Sequence, residues 1–503
     1  MPIITKAYDL TDTYDAKRDN FDDCVNFVLE DLDKAEELLP AKDKATKGRA
    51  NKDIVLALRS RLTLVAASPL FNDAARPEGG IFRGQYSADK WKRALDATKR
   101  IIDRADVDGS YRLDDTYDGV WKNTDSPELI WAKYFISSAD ASDNTMKKAQ
   151  LLYSVVYFNG WTAFQPTQAM TLDYEMTNGK KIFEDGSGYD VNHPFKGRDP
   201  RFYKSVASPF CNYPNTDNSG YHDNVLDLSL YYDNVKKSDF DEGKKEPSYS
   251  VKAKHLLDAT STMGLEMMKW YIPTSPITEA ETGSVLYPWF RLAEMYLNYA
   301  ECAYMTGNEA LCRQYINKVR SRSDVRMPEI KESGEALWDR LVNERRVELA
   351  FEAIRYFDVR RWKTAQFYEN VPFAGMRTMV LRNGSRNDTI YRVAHPYDER
   401  LTHTCYYWPN SDERKDYVKA NTRDIFEEAS KDSDGAVQVN GSCIKYRWLG
   451  KDYWVDYGDC RLTVSPTQKH FRKVNGEWPN YLMPIPANEM TKANGTLVQN
   501  PGY

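Results

Sequence analysis

Read by the spacing of its apolar residues, the chain divides into helical stretches separated by long irregular ones. Phe21, Val25, Val28, Leu32, Ala35 and Leu39 recur every three or four residues, the period of one helix face. They predict a helix over Asn20–Leu39, capped by Asn20 and stopped by Pro40. Ile54, Leu58, Leu62 and Val65 predict a second helix over Asn51–Ala67, ended by Ser68-Pro69. Trp91, Leu95, Thr98 and Ile102 predict a third over Ala88–Ile102. From about 105 to 285 the helical period fails, Asn, Asp, Gly, Ser and Tyr become frequent, and short strands are expected at Leu129–Tyr134 and Met267–Ile272. Helices resume at 288. Phe290, Ala293, Leu297, Ala300 and Tyr304 form one stripe, Gly307 supplies a left-handed stop, and Asn308 caps a partner helix carrying Leu311, Tyr315, Ile316 and Val319. A further helix is expected over 335–362, and 366–503 returns to irregular, aromatic sequence.

That last helix carries charge where apolar residues belong. At 100° per residue Glu344, Glu348, Glu352 and Arg355 fall within an arc of roughly 80°. Arg355 stands three residues from Glu352 and from Asp358, and Asp358 three from Arg361, with Leu341, Val342, Leu349, Ala353, Phe357 and Trp362 interleaved. Buried charge is costly unless paired, so the pattern predicts an ion-pair ladder beneath other helices. Two carboxylates on one face also suit a glycosidase. Here, however, Arg345, Arg346 and Arg355 would hold them ionised, the opposite of a raised-pKa general acid. Structural pairing is therefore the expectation, and no catalytic residue is assigned.

Composition narrows the function classes. At 503 residues the chain exceeds a single small core. The pattern divides it into a helical part (1–105), an irregular part with short strands (106–287), a helical hairpin with the charged helix (288–365) and a loop-rich aromatic part (366–503). A net charge of −5 without long Lys/Arg runs argues against a nucleic-acid partner. No apolar run reaches the roughly 18 residues of a membrane-spanning helix, and MPIITKAYDL has neither the charged nor the apolar region of an export signal. HExxH, GxSxG and GxxxxGK[ST] do not occur. Asp432-Ser433-Asp434-Gly435 and Asn215–Gly220 each lack the ligands of a calcium loop. The cysteines are not at zinc spacing; Cys24, Cys302 and Cys312 read as small core residues, while one disulfide among Cys405, Cys443 and Cys460 stays open. No metal or cofactor is expected. The 34 Tyr and 12 Trp suit either loops packed by aromatics or a surface that stacks on sugars.

Several motifs, in order, resemble the SusD/RagB family of glycan-binding outer-membrane lipoproteins. Arg291-Leu292-Ala293-Glu294 running to Tyr299-Ala300-Glu301 and Gly307 is similar to that family's RxAExxLxxAEA…G helix, and Ile316–Arg322 to its INxVRxR. Glu344-Arg345, Glu348-Leu349, Glu352, Arg355, Asp358 and Arg361-Trp362 resemble its ERxxELxxEGxRxxDLxRW, with Ala353 where the family usually has Gly. Gln165-Pro166-Thr167 and Gly197–Arg201 resemble the segment around its RDPR. Met483–Pro486, Glu489 and Gln499–Tyr503 resemble its PIPxxE…QNPGY ending.

The resemblance implies a mainly α fold of tetratricopeptide-type hairpins with a large loop-rich, minor-β part. It implies a non-enzymatic protein that binds oligosaccharide or polysaccharide and sits on a SusC-like TonB-dependent transporter, with the helices toward the transporter and the irregular segments forming the glycan face. It also implies a lipid anchor and further N-terminal sequence before Met1; Cys24, inside a helix, is no candidate for lipidation. Aromatic platforms and planar polar groups bind sugars, which makes Tyr157, Phe158, Asn159, Trp161, Tyr213, Tyr231 and Tyr232 the candidate ligand residues, with Gln165 and Arg198 as further hydrogen-bonding groups. Arg291, Glu294 and Glu301 are expected to face Glu344–Arg355 across a helix contact. A peptide-binding RagB-like uptake protein and a glycoside hydrolase are the alternatives.

Overall fold

A computed structural model of the chain describes residues 2–9, 11, 16–135, 152–153, 161–190, 192–213, 225–233, 248–249, 264–272, 285–365, 375–383, 386–394, 407–408, 437–439, 443–456, 462–464, 481–493 and 495–501. The helical period is realised in α1 (Phe21–Leu38), α2 (Lys52–Ala67) and α3 (Asp89–Asp106). Asn51 caps α2, its side chain accepting from the Asp53 and Ile54 amides at 3.0 and 3.2 Å. Asn20 makes no such bond to α1; its amide donates to Asp23 instead, at 3.2 Å. Val25, Leu29 and Leu32 of α1 pack on Val55 and Ala66 of α2, and Leu64 and Ala67 on the far side of α2 meet Trp91 and Ala94 of α3.

The short α4 (Pro200–Ser205) lies in the irregular region, with Asp199 capping it. The centre is α5 (Leu292–Met305), buried on almost every side, as befits a helix with apolar residues all round. α6 (Glu309–Arg320) returns along it, contributing Cys312, Tyr315, Ile316 and Val319 to a core shared with α2, α3 and α5. The turn between them follows the sequence: Gly307 sits at φ +82 and Asn308 accepts from the Leu311 amide at 3.1 Å. Cys302 and Cys312 are buried there as small apolar side chains.

Two helix boundaries differ from expectation. The segment before α5 is a strand, not helix. β1 (Leu129–Phe135) pairs antiparallel with Val285–Arg291. Pro288 would break a helix interior yet is tolerated in a two-stranded ribbon, where each strand has an unpaired edge. The expected helix over 335–362 is also two helices, α7 (Gly334–Glu348) and α8 (Ile354–Arg361). Phe351 and Ala353 between them both stand at φ +61, a left-handed conformation that ends a right-handed helix. A glycine adopts it without strain, which accounts for the glycine in the resembling motif.

The remaining β structure is small. β2 (Val206–Ala207) pairs with β5 (Glu266–Met267); the strand expected over Met267–Ile272 stops there, because Trp270 turns at φ +72. β3 (Ser229–Asp233) and β4 (Ser248–Tyr249) join β7 (Gly375–Asn383) and β8 (Arg386–Ala394) in the order β4-β3-β7-β8, with β3 and β7 parallel; the ribbon strand Val285–Arg291 is β6. Sheets among the described residues hold two to four strands, so the architecture is mainly α with a minor β part.

Candidate functional site

The charges on α7 sit in a buried ionic lattice. Glu348 accepts from Arg291 at 2.8 Å, Arg322 at 2.9 Å and Arg201 at 3.0 Å. Arg291, at the end of β6, also donates to Glu352 through Nε and Nη2, both at 2.8 Å, and to Glu128 at 2.7 Å. Arg322 reaches Glu128 at 2.6 Å. Arg201 of α4 pairs with Asp199 at 2.8 Å and with Glu344. Arg320 bridges Glu344 at 2.9 Å and Glu175 at 2.8 Å, and Arg340 holds the second oxygen of Glu175 at 2.8 Å. Lys269 donates to Glu352 at 2.6 Å. Arg201, Arg291, Arg320, Arg322, Arg340 and Lys269 thus face Asp199, Glu128, Glu175, Glu344, Glu348 and Glu352, all buried, and Arg340 is also held by the half-buried Glu332 at 2.7 Å. Asp199 and Arg201, at the start of α4, join this lattice from the irregular region, a tie that spacing on one helix could not show.

A second lattice lies beside it. Asp358 accepts from Arg345 at 2.9 Å and Arg361 at 2.9 Å, while Glu301 accepts from Arg361 at 2.6 Å and from the Trp362 indole at 2.8 Å. Arg291 and Glu301 therefore face the charged segment, but Glu294 does not. It binds Arg61 of α2 at 2.8 and 2.7 Å, because the first turn of α5 faces that helix. Arg355 lies beyond the left-handed break, so the arc drawn through Glu344 and Glu348 does not extend to it.

Three carboxylates of the first lattice favour the ionised form in spite of their burial. Burial raises the Glu348 carboxyl, but Arg322, Arg291 and Arg201 outweigh it and hold it well below the usual carboxylate range. Glu352 and Glu128 are lowered by the same contest between burial and neighbouring cations. Burial pushes Lys269 down to about 8 against the pull of Glu352. None of these carboxylates is kept protonated as a glycosidic general acid must be. Among the described residues no group of three or more His, Cys, Asp or Glu side chains could hold a metal ion.

Aromatic surface gathers elsewhere, at the β1–β6 ribbon. An open pocket of about 540 Å³ is walled by Trp131, Tyr134 and Trp289 and bordered by Thr46, Lys47, Gly48, Arg49 and Lys133. On a regular strand Trp131 and Tyr134 would face opposite ways; the register shifts flanking Trp131 let the two share a pocket. The rings of Trp131 and Trp289 lie 6.2 Å apart at 30°, and Trp289 is 46% exposed. The Trp131 indole donates to the Gly48 carbonyl at 3.1 Å. Gly48 stands at φ +82, and a Cβ there would meet the Tyr134 ring at 3.4 Å. Arg61, anchored by Glu294, donates to the Trp289 carbonyl at 2.7 Å and covers the Phe290 ring at 4.2 Å. On its other side Trp289 borders a second, more apolar pocket of about 450 Å³ with Phe71, Tyr287, Ile354, Tyr356, Phe357 and Met483. Sequence alone placed Trp131 in a strand but gave no reason to join it to the distant Trp289.

Of the sequence-derived ligand residues, Trp161 is 39% exposed, and its chain neighbour Phe164 is also exposed; Phe164 in turn packs on Tyr153 at 5.6 Å. Tyr157, Phe158 and Asn159 lie outside the described residues. Tyr231 and Tyr232 lie on β3, paired with β7; their side chains are outside the description. Tyr213 is fully buried and stacked on Tyr271 at 4.3 Å, which leaves no face for a sugar. Gln165 donates to the Thr162 carbonyl at 3.3 Å. Arg198 is also buried, donating to the carbonyls of Pro194 at 3.0 Å, Tyr174 at 2.9 Å and Thr171; its role is to hold the loop, not to meet solvent. Cys405 and Cys460 fall outside the described residues. No described helix is long and apolar enough to cross a membrane.

Comparison with known proteins follows the same lines. A model of the SusD family matches residues 127–419. SusD-like protein P25 of Formosa agariphila is 40% identical over 76 residues, a match covering 14% of this chain and 14% of that protein's length. A SusD-like protein from Bacteroides fragilis aligns with a TM-score of 0.60 at 21% identity, covering 100% of this chain and 75% of the other. A SusD-like carbohydrate binding protein from the same species aligns at 0.58 and 19% identity, covering 99% and 74%. A SusD superfamily protein from Parabacteroides distasonis aligns at 0.52 and 14% identity, covering 100% and 74%. At such identities the solved structures speak for the fold.

Proposed function

This chain belongs to the SusD family, and from that premise we propose that it captures oligosaccharide or polysaccharide at the cell surface without altering it. It then passes the ligand to a SusC-like TonB-dependent transporter, to which it is held at the outer membrane as a lipoprotein. The observation that carries this reading is the pocket walled by Trp131, Tyr134 and Trp289. Flat aromatic faces stack on the C–H faces of sugar rings, and the bordering hydroxyl and cationic groups bind ring hydroxyls. Trp161 with Phe164 offers a second exposed aromatic patch for the same polymer. The carboxylates that could have served hydrolysis are instead engaged by guanidinium groups, which supports binding without cleavage.

The test is affinity electrophoresis against a panel of polysaccharides, with Trp289→Ala and Trp161→Ala run beside the parent chain and the polymers assayed afterwards for new reducing ends. Retardation by one polymer, reduced in a Trp variant and without new reducing ends, is the expected result. New reducing ends that vanish with Glu348→Gln in a folded variant would establish hydrolysis instead. Retention of peptides, and of no polysaccharide, would establish a peptide-binding uptake protein.

A further inference from the structure

We propose that the pocket at the β1–β6 ribbon is selective for an acidic sugar, a residue bearing a carboxylate or sulfate group. This rests on the reading of that pocket as a glycan site and adds the class of ligand. The border carries Lys47, Arg49 and Lys133 and no carboxylate, in a chain whose net charge is −5. The excess of cations there is therefore local, against the sign of the whole. Lys47 is held by Asp125 at 2.6 Å, with the Asp125 side chain 79% exposed, and its ammonium lies 5.2 Å from the Tyr134 ring centroid. Even with that pair counted as neutral, Arg49 keeps the border of the aromatic floor positive.

Chemistry favours an anion there over a neutral ring. A guanidinium matches the two oxygens of a carboxylate or sulfate in a bidentate fork, and such charge-assisted bonds are about twice as strong as neutral ones. The second pocket beyond Trp289 differs, although it too has arginines. Arg61, Arg291, Arg345 and Arg361 there are engaged by Glu294, Glu352, Asp358 or Glu301, and Arg360 donates to the Tyr356 carbonyl at 3.0 Å and lies over the Tyr356 ring. A polymer crossing Trp289 would thus meet its charged subsite on the Arg49 side and an apolar one on the Phe71 side. The volume of about 540 Å³ lies within the range of roughly 300–1,000 Å³ typical of small-ligand pockets.

The experiment measures affinity of the chain for polygalacturonate, dextran sulfate and neutral dextran and galactan at low and high NaCl. The parent chain is compared with Trp289→Ala and with Arg49→Gln/Lys133→Gln. Both basic side chains are exposed, so the double variant should keep the parent melting temperature. The expected result is binding of an acidic polymer that weakens with salt and falls about tenfold or more in the double variant. Binding of a neutral polymer that depends on Trp289 and is indifferent to the double substitution would overturn the acidic-sugar inference while leaving glycan capture intact. Binding of no polymer, acidic or neutral, in a Trp289-dependent way would overturn the glycan reading of this pocket itself.

Discussion

Arg291 of β6 and Glu348 of α7 meet at 2.8 Å with 2% and 0% of their side chains exposed, and Glu348 is shared with Arg322 and Arg201. Removing the carboxylate charge leaves three guanidinium groups facing one another in a site closed to water, and none can give up its proton. Glu348→Gln preserves the shape but not the charge. It is expected to destabilise the fold by about 3–5 kcal/mol, read as a lower urea midpoint. Lys92→Ala, which removes an exposed partner of Asp96, should leave the midpoint close to that of the parent chain. Equal midpoints for the two variants would mean that the lattice contributes nothing.

The same carboxylates set an acid limit. Glu348, Glu352 and Glu128 titrate in the fold below their ordinary 4.5, and Asp358 below 3.8. The unfolded chain therefore binds more protons as acid is added, and the stability these groups contribute is present above the ordinary values and lost as pH falls through the folded ones. Melting temperature should hold steady from neutral pH to about 5 and then fall steeply. Lys269 acts in the same sense in a higher window: with its folded value lowered from 10.5 to about 8, the unfolded chain binds its proton more readily there, and stability rises with pH across that interval. A thermal-melt series in pH checks both, and a flat acid limb would contradict the pairing.

At position 353 the strain is local. Ala353 holds φ +61 as the residue before α8, a conformation costing an L-residue about 1–2 kcal/mol. Glycine takes it freely but loses more entropy on folding, so Ala353→Gly should raise stability by about 0.5–1 kcal/mol. Ala353→Val should lower it by more than that, because a branched Cβ worsens the left-handed clash. Chemical denaturation of the pair measures the difference, and a destabilised glycine variant would show that the turn is not strained.

How much of this was legible beforehand depended on range. The 3.6-residue period of α1, α2 and α3 and the Gly307-Asn308 turn are local signals, and the structure follows them to within a few residues. Charge at helical spacing on α7 signalled burial with pairing, and Glu344 and Glu348 are indeed buried in ion pairs. The break at Phe351 and Ala353 was hidden because neither residue is a helix breaker; tertiary packing imposes the left-handed turn. Long-range partners carry no periodic mark. Nothing near Glu294 points to Arg61, and nothing near Trp289 points to Trp131, which reaches it through the β1–β6 register, or to Gly48, which the Trp131 indole holds. Tyr213 looked like a platform because aromatic residues in loop sequence serve equally well as loop anchors, and here it is an anchor.

Trp289 and Gly48 separate binding from folding at the proposed glycan pocket. Trp289 is nearly half exposed, so Trp289→Ala should cost little stability, about 1 kcal/mol or less. It removes the stacking wall, however, and should weaken glycan affinity about tenfold or more. Gly48→Ala acts differently. Its φ of +82 strains any side chain, although the new methyl would only touch the Tyr134 ring at 3.4 Å; the strain falls on the 46–49 loop, which presents the Gly48 carbonyl to the Trp131 indole at 3.1 Å. Affinity and stability should then fall together, the latter by about 1–2 kcal/mol. Calorimetric titration beside thermal melts of both variants checks this. If Trp289→Ala binds every glycan as tightly as the parent chain does, the pocket is not where the polymer sits, and the exposed Trp161–Phe164 patch becomes the surface to test.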